Sequence, residues 1–199
     1  MIFIEEILVA NISDFWKIHE KYLVNDNIVT DDEDLEYFKS SEYRDIIKSH
    51  MIRDENKHHM IYFYTDDFDC NLSDNSNKSH LFLNSPSHKT SIINEISSGH
   101  SNNNFTPHKI RIGAAQFCTY TSEDGKCFIL DFWVFDKFRG NGTGHKCFEA
   151  LLNYTKESGA KYYEINAEGE RRIKFWKSLG FVENGTDEWD MPLFILKFP

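Results

Sequence analysis

The chain has 199 residues and a formal net charge of -10 at pH 7, with 40% hydrophobic and 15% aromatic residues. That length suffices for one domain with a full core, and the aromatic content argues against a disordered chain. The acidic balance disfavours a nucleic-acid partner and leans towards cationic small molecules.

Ile2 to Ala10 reads as a first strand. This opening stretch carries Glu5 and Glu6 and no basic n-region, so no secretory leader is expected. Ser13 is placed to cap a helix through about Tyr22, with Phe15, Ile18 and Tyr22 at helical spacing. The acidic run Thr30 to Glu36 opens a second helical segment reaching His50, and acidic residues suit a helix N-terminus. His59 to Tyr64 is a strand rich in aromatic residues.

From Asp66 to about Pro107 the composition shifts to Ser, Asn, Asp and His. This is read as a polar insertion at about 66–107 within a single domain spanning 1–199. Its His80, His88 and His100, with His108 beyond it, are irregularly spaced. That pattern fits a solvated loop rather than a metal site, and no metal is expected.

Order resumes at Ile110. Ile110 to Tyr120 and Cys127 to Phe135 read as two strands of a hairpin turning at Glu123-Asp124-Gly125-Lys126. Val134 to Gly144 then forms a glycine-bearing loop, followed by a helix to Ser158 that Gly159 closes. Lys161 to Ala167 is a strand, and Arg171 to Leu179 is a short helix ended by Gly180. Phe181 to Glu183 and Leu193 to Phe198 are the last strands. The order describes a mixed α/β layered domain with a largely antiparallel first half.

No apolar run approaches the roughly 20 residues a membrane span needs, so no membrane association is expected. Cys70, Cys118, Cys127 and Cys147 are scattered without CxxC spacing, which suits a reduced, cytoplasmic protein.

The loop is the informative stretch. Glycines let the backbone approach an anion, and free N–H groups at the following helix start point towards it. Arg139 is a candidate forked donor to phosphate oxygens. Taken alone, the glycines fit an anion cradle and an empty strand-to-helix turn equally well. A Walker A frame from Gly140 would need glycine at His145. A dinucleotide fingerprint from Gly140 fails because Gly144 comes one position early, and the frame from Gly142 fails at Cys147.

What fits is Arg-x-x-Gly-x-Gly at Arg139, Gly142 and Gly144. With the strand end Val134 to Gly140, the run Phe175 to Phe181 and the upstream Ile112 to Ala115, it resembles the GNAT acetyltransferase superfamily. Leu130 to Val134 is similar to its polyamine-acetylating subgroup. The resemblance implies a central, mostly antiparallel sheet flanked by about four helices, with splayed fourth and fifth strands. It implies acetyl-CoA as co-substrate and no metal. The backbone of Arg139, Gly140, Asn141, Gly142, Thr143 and Gly144 would hold the pyrophosphate. Phe132, Trp133 and Val134 would hold the pantetheine arm, and Trp176 would pack beneath it.

The reaction so implied is direct attack of a primary amine, on a small molecule or a protein, on the thioester. Asp131 is the first candidate for general base, with an ion pair to a neighbouring Lys or Arg as its structural reading. Glu164 and Glu168 are alternatives, although alternation with Tyr163 and Ile165 would turn Glu164 to solvent. Trp176 stands where the family often has a Tyr that protonates the thiolate, a task an indole N–H cannot perform. Tyr162, Tyr163 or water would then serve. Asn166 is displaced from the family's usual Asn. The competing reading is an acyl-CoA-binding module with little catalysis, acting as a sensor or partner domain. A monomer or homodimer is expected.

Overall fold

The computed structural model describes residues 1–66 and 109–197, which belong to one compact unit. The polar tract and its histidines, including His108, lie outside the described residues, Asp66 excepted.

Among the described residues, seven strands form one sheet. They are β1 (Ile2–Glu6), β2 (His58–Thr65), β3 (Ile110–Thr119), β4 (Lys126–Val134), β5 (Tyr162–Asn166), β6 (Val182–Thr186) and β7 (Pro192–Lys197). Their spatial order is β1-β2-β3-β4-β5-β7-β6. Every neighbouring pair is antiparallel except β4 and β5, which run parallel. The parallel pair requires a crossover, and a helix between Thr143 and Glu157 supplies it.

Among the described residues, five α-helices flank the sheet: α1 (Ser13–Asn25), α2 (Asp32–Lys39), α3 (Ser41–Met51), α4 (Thr143–Glu157) and α5 (Glu170–Ser178). The single helical segment expected over 30–50 is two helices. Asp31 caps α2 by accepting from the Glu33 and Asp34 backbone N–H groups at 2.7 and 3.3 Å. Ser40 leaves helical geometry and caps α3 by accepting from Tyr43 N–H at 3.1 Å. A serine that caps the next turn breaks a helix as its side chain replaces a backbone partner. Ser13 is the first residue of α1 rather than its cap, a position Ile12 fills without a side-chain bond.

Two cores lie on the two faces of the sheet. Under α4 and α5, Ile61, Phe63, Ala115, Phe117, Ile129, Phe148, Leu151 and Trp176 pack together. Under α1 and α3, Phe15, Trp16, Tyr43, Met60, Tyr62, Ala114 and Trp133 do so.

Register sets which β4 residue faces which core. Gln116 pairs with Asp131 and Phe117 with Ile129, so Leu130 is an extra residue, a β-bulge. Before it, Cys127 and Ile129 face the α4 side; after it, Phe132 and Val134 do. The bulge therefore moves the odd-numbered Asp131 and Trp133 to the α1 side.

Candidate active site

β4 and β5 pair only over Lys126–Phe128 against Tyr162–Glu164. Beyond Phe128, β4 stays on β3 as far as Val134 while β5 stays on β7. The backbone of 129–134 is thus left without a strand partner on its β5 side among the described residues. Unpaired strand backbone of this kind offers N–H and C=O groups to an extended, amide-bearing ligand.

The loop at the end of β4 turns through left-handed backbone at three successive residues, with φ of 91° at Gly140, 47° at Asn141 and 73° at Gly142. Thr143 N–H folds back on Gly140 O at 3.0 Å, and Lys146 N–H reaches Gly142 O at 3.1 Å. The N–H groups of Asn141, Gly142, Gly144 and His145 meet no acceptor among the described residues. They gather at the N-terminus of α4, where the helix dipole also favours an anion. A Cβ at Gly140 or Gly142 would meet nothing within 4 Å, so this side of the loop is open. At Gly144 a Cβ would lie 2.9 Å from Phe175 Cε2. The missing side chain of the third glycine thus allows close packing of α4 on α5, while its N–H stays among the open donors.

The Arg139 guanidinium, expected as a forked phosphate donor, is engaged by protein acceptors in this structure. Its Nε donates to Val134 O at 2.7 Å, its Nη1 donates to Asp26 Oδ1 at 2.7 Å, and Asp136 Oδ1 lies 2.9 Å from Nη1. Its backbone N–H is also used, on Asp136 O at 3.1 Å. Two carboxylates and a carbonyl hold the guanidinium, so Arg139 fastens the loop to the end of α1. These residues border a cleft of about 270 Å³ whose other walls include Ile18, Tyr22, Trp133 and Phe135.

Among the described residues Asp131 has no Lys or Arg partner. Its Oδ2 lies 2.9 Å from Nε2 of His19 on α1, and Gln116 Nε2 donates to the same oxygen. Gln116 Oε1 in turn lies 3.2 Å from His58 Nε2. His19 is 1% exposed and the Asp131 side chain 12%. Burial holds the His58 imidazole down to about 4, so it is neutral at neutral pH. Tyr22 and Tyr43 are both pushed upward, by burial first and by the Asp131 charge second.

The other expected residues are placed as follows. Glu164 sits where β4 and β5 are still paired and meets Lys126 Nζ at 3.4 Å. Its side chain is 13% exposed, so alternation did not turn it fully to solvent. Glu168 is exposed. Trp176 is buried against Phe132, Phe148, Phe175 and Phe181, with ring centroids 5.1–5.6 Å away. Phe132 lies over Phe175 at 5.9 Å, whereas Trp133 faces His19 and stacks on Tyr22 at 4.4 Å. Asn166 Nδ2 donates to Met191 O at 3.4 Å.

Neither tyrosine expected as a stand-in acid is placed for that task. Tyr163 OH is buried in a 2.6 Å bond with Thr155, and burial pushes it up to about 12. Tyr162 OH donates to Asp124 and is also raised, chiefly by burial. Sequence reading missed His19, Gln116 and Asp26. The available signal for His19 was its four-residue spacing from Phe15 and Leu23 on the apolar face of α1.

The family model for the acetyltransferase (GNAT) family matches residues 99–181. No curated protein matches this sequence. Among solved structures, PaiA N-acetyltransferase from Thermoplasma acidophilum, in complex with coenzyme A, is similar with a TM-score of 0.60 at 10% identity, over 100% of this chain and 99% of that one. A GNAT-family acetyltransferase from Staphylococcus aureus gives 0.59 at 10% identity, over 100% of both chains. An acetyltransferase from Thermus thermophilus gives 0.58 at 7% identity, over 100% of this chain and 97% of that one. At such identities the likeness speaks for the fold.

Proposed function

Since this chain carries a GNAT-family acetyltransferase domain, we propose that it is an N-acetyltransferase that moves the acetyl group of acetyl-CoA to a primary amine. The observation that carries this reading is the conjunction of the open loop at Gly140–Gly142 with the parting of β4 and β5 beside it. The N–H groups at the start of α4 fit a pyrophosphate, and the unpaired β4 backbone fits the amides of a pantetheine arm. When bound, acetyl-CoA supplies an acetyl group activated as a thioester.

The chain's own residues then orient and deprotonate. The acceptor must arrive as a neutral amine, although a free alkylamine is protonated at neutral pH, with a pKa of about 10.4. Asp131 lies on β4 just past the bulge and takes the proton released as the nitrogen bonds to the acetyl carbon. The thiolate that leaves takes its proton from water, given that Tyr162 and Tyr163 are engaged elsewhere. The net charge of -10 favours a small cationic acceptor, of which a polyamine is one class. No helix among the described residues is long and apolar enough to cross a membrane. Cys118, Cys127 and Cys147 are free and buried, which supports action in a reducing compartment such as the cytoplasm.

The test is coenzyme A release from acetyl-CoA across a panel of amines, with calorimetric binding of coenzyme A measured alongside. Release that depends on an amine is expected. Gly142→Trp is expected to abolish binding, as its side chain would project into the open side of the loop from a backbone at φ 73°. Binding without turnover on any amine would instead support the acyl-CoA-binding module, the reading that the buried Trp176 favours.

A further inference from the structure

We propose that His19 is a positioning residue for Asp131, holding the carboxylate by one oxygen so that the other is presented to the acceptor amine. The proposal rests on the acetyl-transfer reading above.

The geometry assigns the donors. His19 Nε2 is 2.9 Å from a carboxylate oxygen, so that nitrogen carries the proton. Gln116 Nε2 lies 3.2 Å from the same ring nitrogen, but both are then donors and do not bond one another; one of the two amide N–H groups goes to Asp131. The amide is fixed in that sense because its oxygen takes the contact from His58 Nε2. Asp131 Oδ2 thus receives two donors, and Oδ1 has no partner among the described residues.

His19 cannot itself reach an acceptor. It is 1% exposed and enclosed by Phe15 at 5.8 Å, Trp16 at 5.9 Å, Tyr22 at 6.2 Å and Trp133 at 5.8 Å. Those rings prevent the imidazole from swinging away, so it acts through Asp131 alone. The bond spans 112 positions of sequence and ties α1 to β4 at the bulge.

The buried polar groups packed around the pair are uncharged. His58 from β2 is held at about 4 by burial, and Tyr22 from α1 and Tyr43 from α3 are raised above their ordinary value. All three are uncharged across neutral pH. Asp26 and Arg139, which Tyr22 also senses, are locked to one another, and Arg172 acts on Tyr22 as well.

A donor bonded to a carboxylate favours its charged form, and losing the donor raises its proton affinity. His19→Phe is therefore expected to lower kcat by roughly tenfold or more. It should also move the acid limb of kcat/KM upward by about one pH unit. The KM for acetyl-CoA should stay constant. His19→Gln, which can restore a donor near the Nε2 position, should recover most of both losses, whereas a merely structural role would leave the acid limb in place. Nitrogen-15 NMR of the wild-type protein provides a readout without any variant: a protonated Nε2 on His19 is expected. Wild-type turnover with an unmoved acid limb in His19→Phe, or an Nδ1–H tautomer in the wild type, would overturn the proposal. Absence of amine-dependent turnover in the wild type would instead strike the acetyl-transfer reading.

Discussion

The two faces of the sheet are both rich in aromatic rings, and they differ in what is buried among them. Beneath α4 and α5 the filling is apolar: Trp176 meets Phe132, Phe148, Phe175 and Phe181, and the buried hydroxyls of Thr155 and Tyr163 bond one another. Beneath α1 and α3 the rings of Phe15, Trp16, Tyr22 and Trp133 surround an imidazole, an amide and a carboxylate. Close-packed apolar side chains stabilise in proportion to the area they remove from water. Polar groups in the same setting cost free energy unless each finds its partner, and once paired they are held rigidly. One face is thus built for stability. The other gives up part of that gain and holds a charged group in a fixed orientation.

The contrast can be broken from either side. On the dry face, Trp176→Ala should lower stability by about 3–5 kcal/mol, read as a fall in thermal midpoint, because the four surrounding phenyl rings cannot close the cavity. Asp131→Asn, on the polar face, should do the reverse. It should leave coenzyme A binding and the melting temperature near wild type while lowering kcat by about 10²–10⁴-fold. Unchanged turnover in this variant would remove Asp131 as the base.

A smaller effect sharpens the picture at the β1 edge. A hydrogen bond from His59, with further ones from Tyr154 and Lys57, holds the Glu6 carboxyl down to about 2 from an ordinary 4.5, against the upward push of burial. A carboxyl lowered in the folded state adds stability above its unfolded value and loses it as pH falls through that value towards the folded one. Glu6→Gln should therefore cost about 1–2 kcal/mol at neutral pH, the 28% exposure of its side chain reducing the full linkage value. The cost should vanish between pH 4.5 and 2. Chemical denaturation at pH 7 and pH 3 measures the difference; an equal loss at both would show that Glu6 matters for shape rather than charge.

Much of the fold was legible because local patterns and tertiary packing agree. The hairpin at Gly125, with φ 82°, and the helix ends at Gly159 and Gly180, both with φ 94°, are positions where glycine relieves left-handed backbone. The break between α2 and α3 was less legible, since Ser40 reads as an ordinary helical residue until its hydroxyl is seen capping Tyr43. At the site, Gly142 and Asp131 stood out in the sequence. The fate of the Arg139 side chain did not, because Asp26 lies 113 positions away.

By itself the sequence determined the order of the strands, the glycine loop before α4 and the strand that carries Asp131. Each depends on residues close together in the chain, whose conformational preferences act locally. The tertiary structure alone decided which face Asp131 occupies. Strict alternation from Ile129 would have placed it among the phenyl rings beneath α4. The extra residue at Leu130 turns it to the opposite face, where His19 and Gln116 are waiting. A bulge is set by the register of two strands and by what packs on them, and that register is a property of the folded sheet.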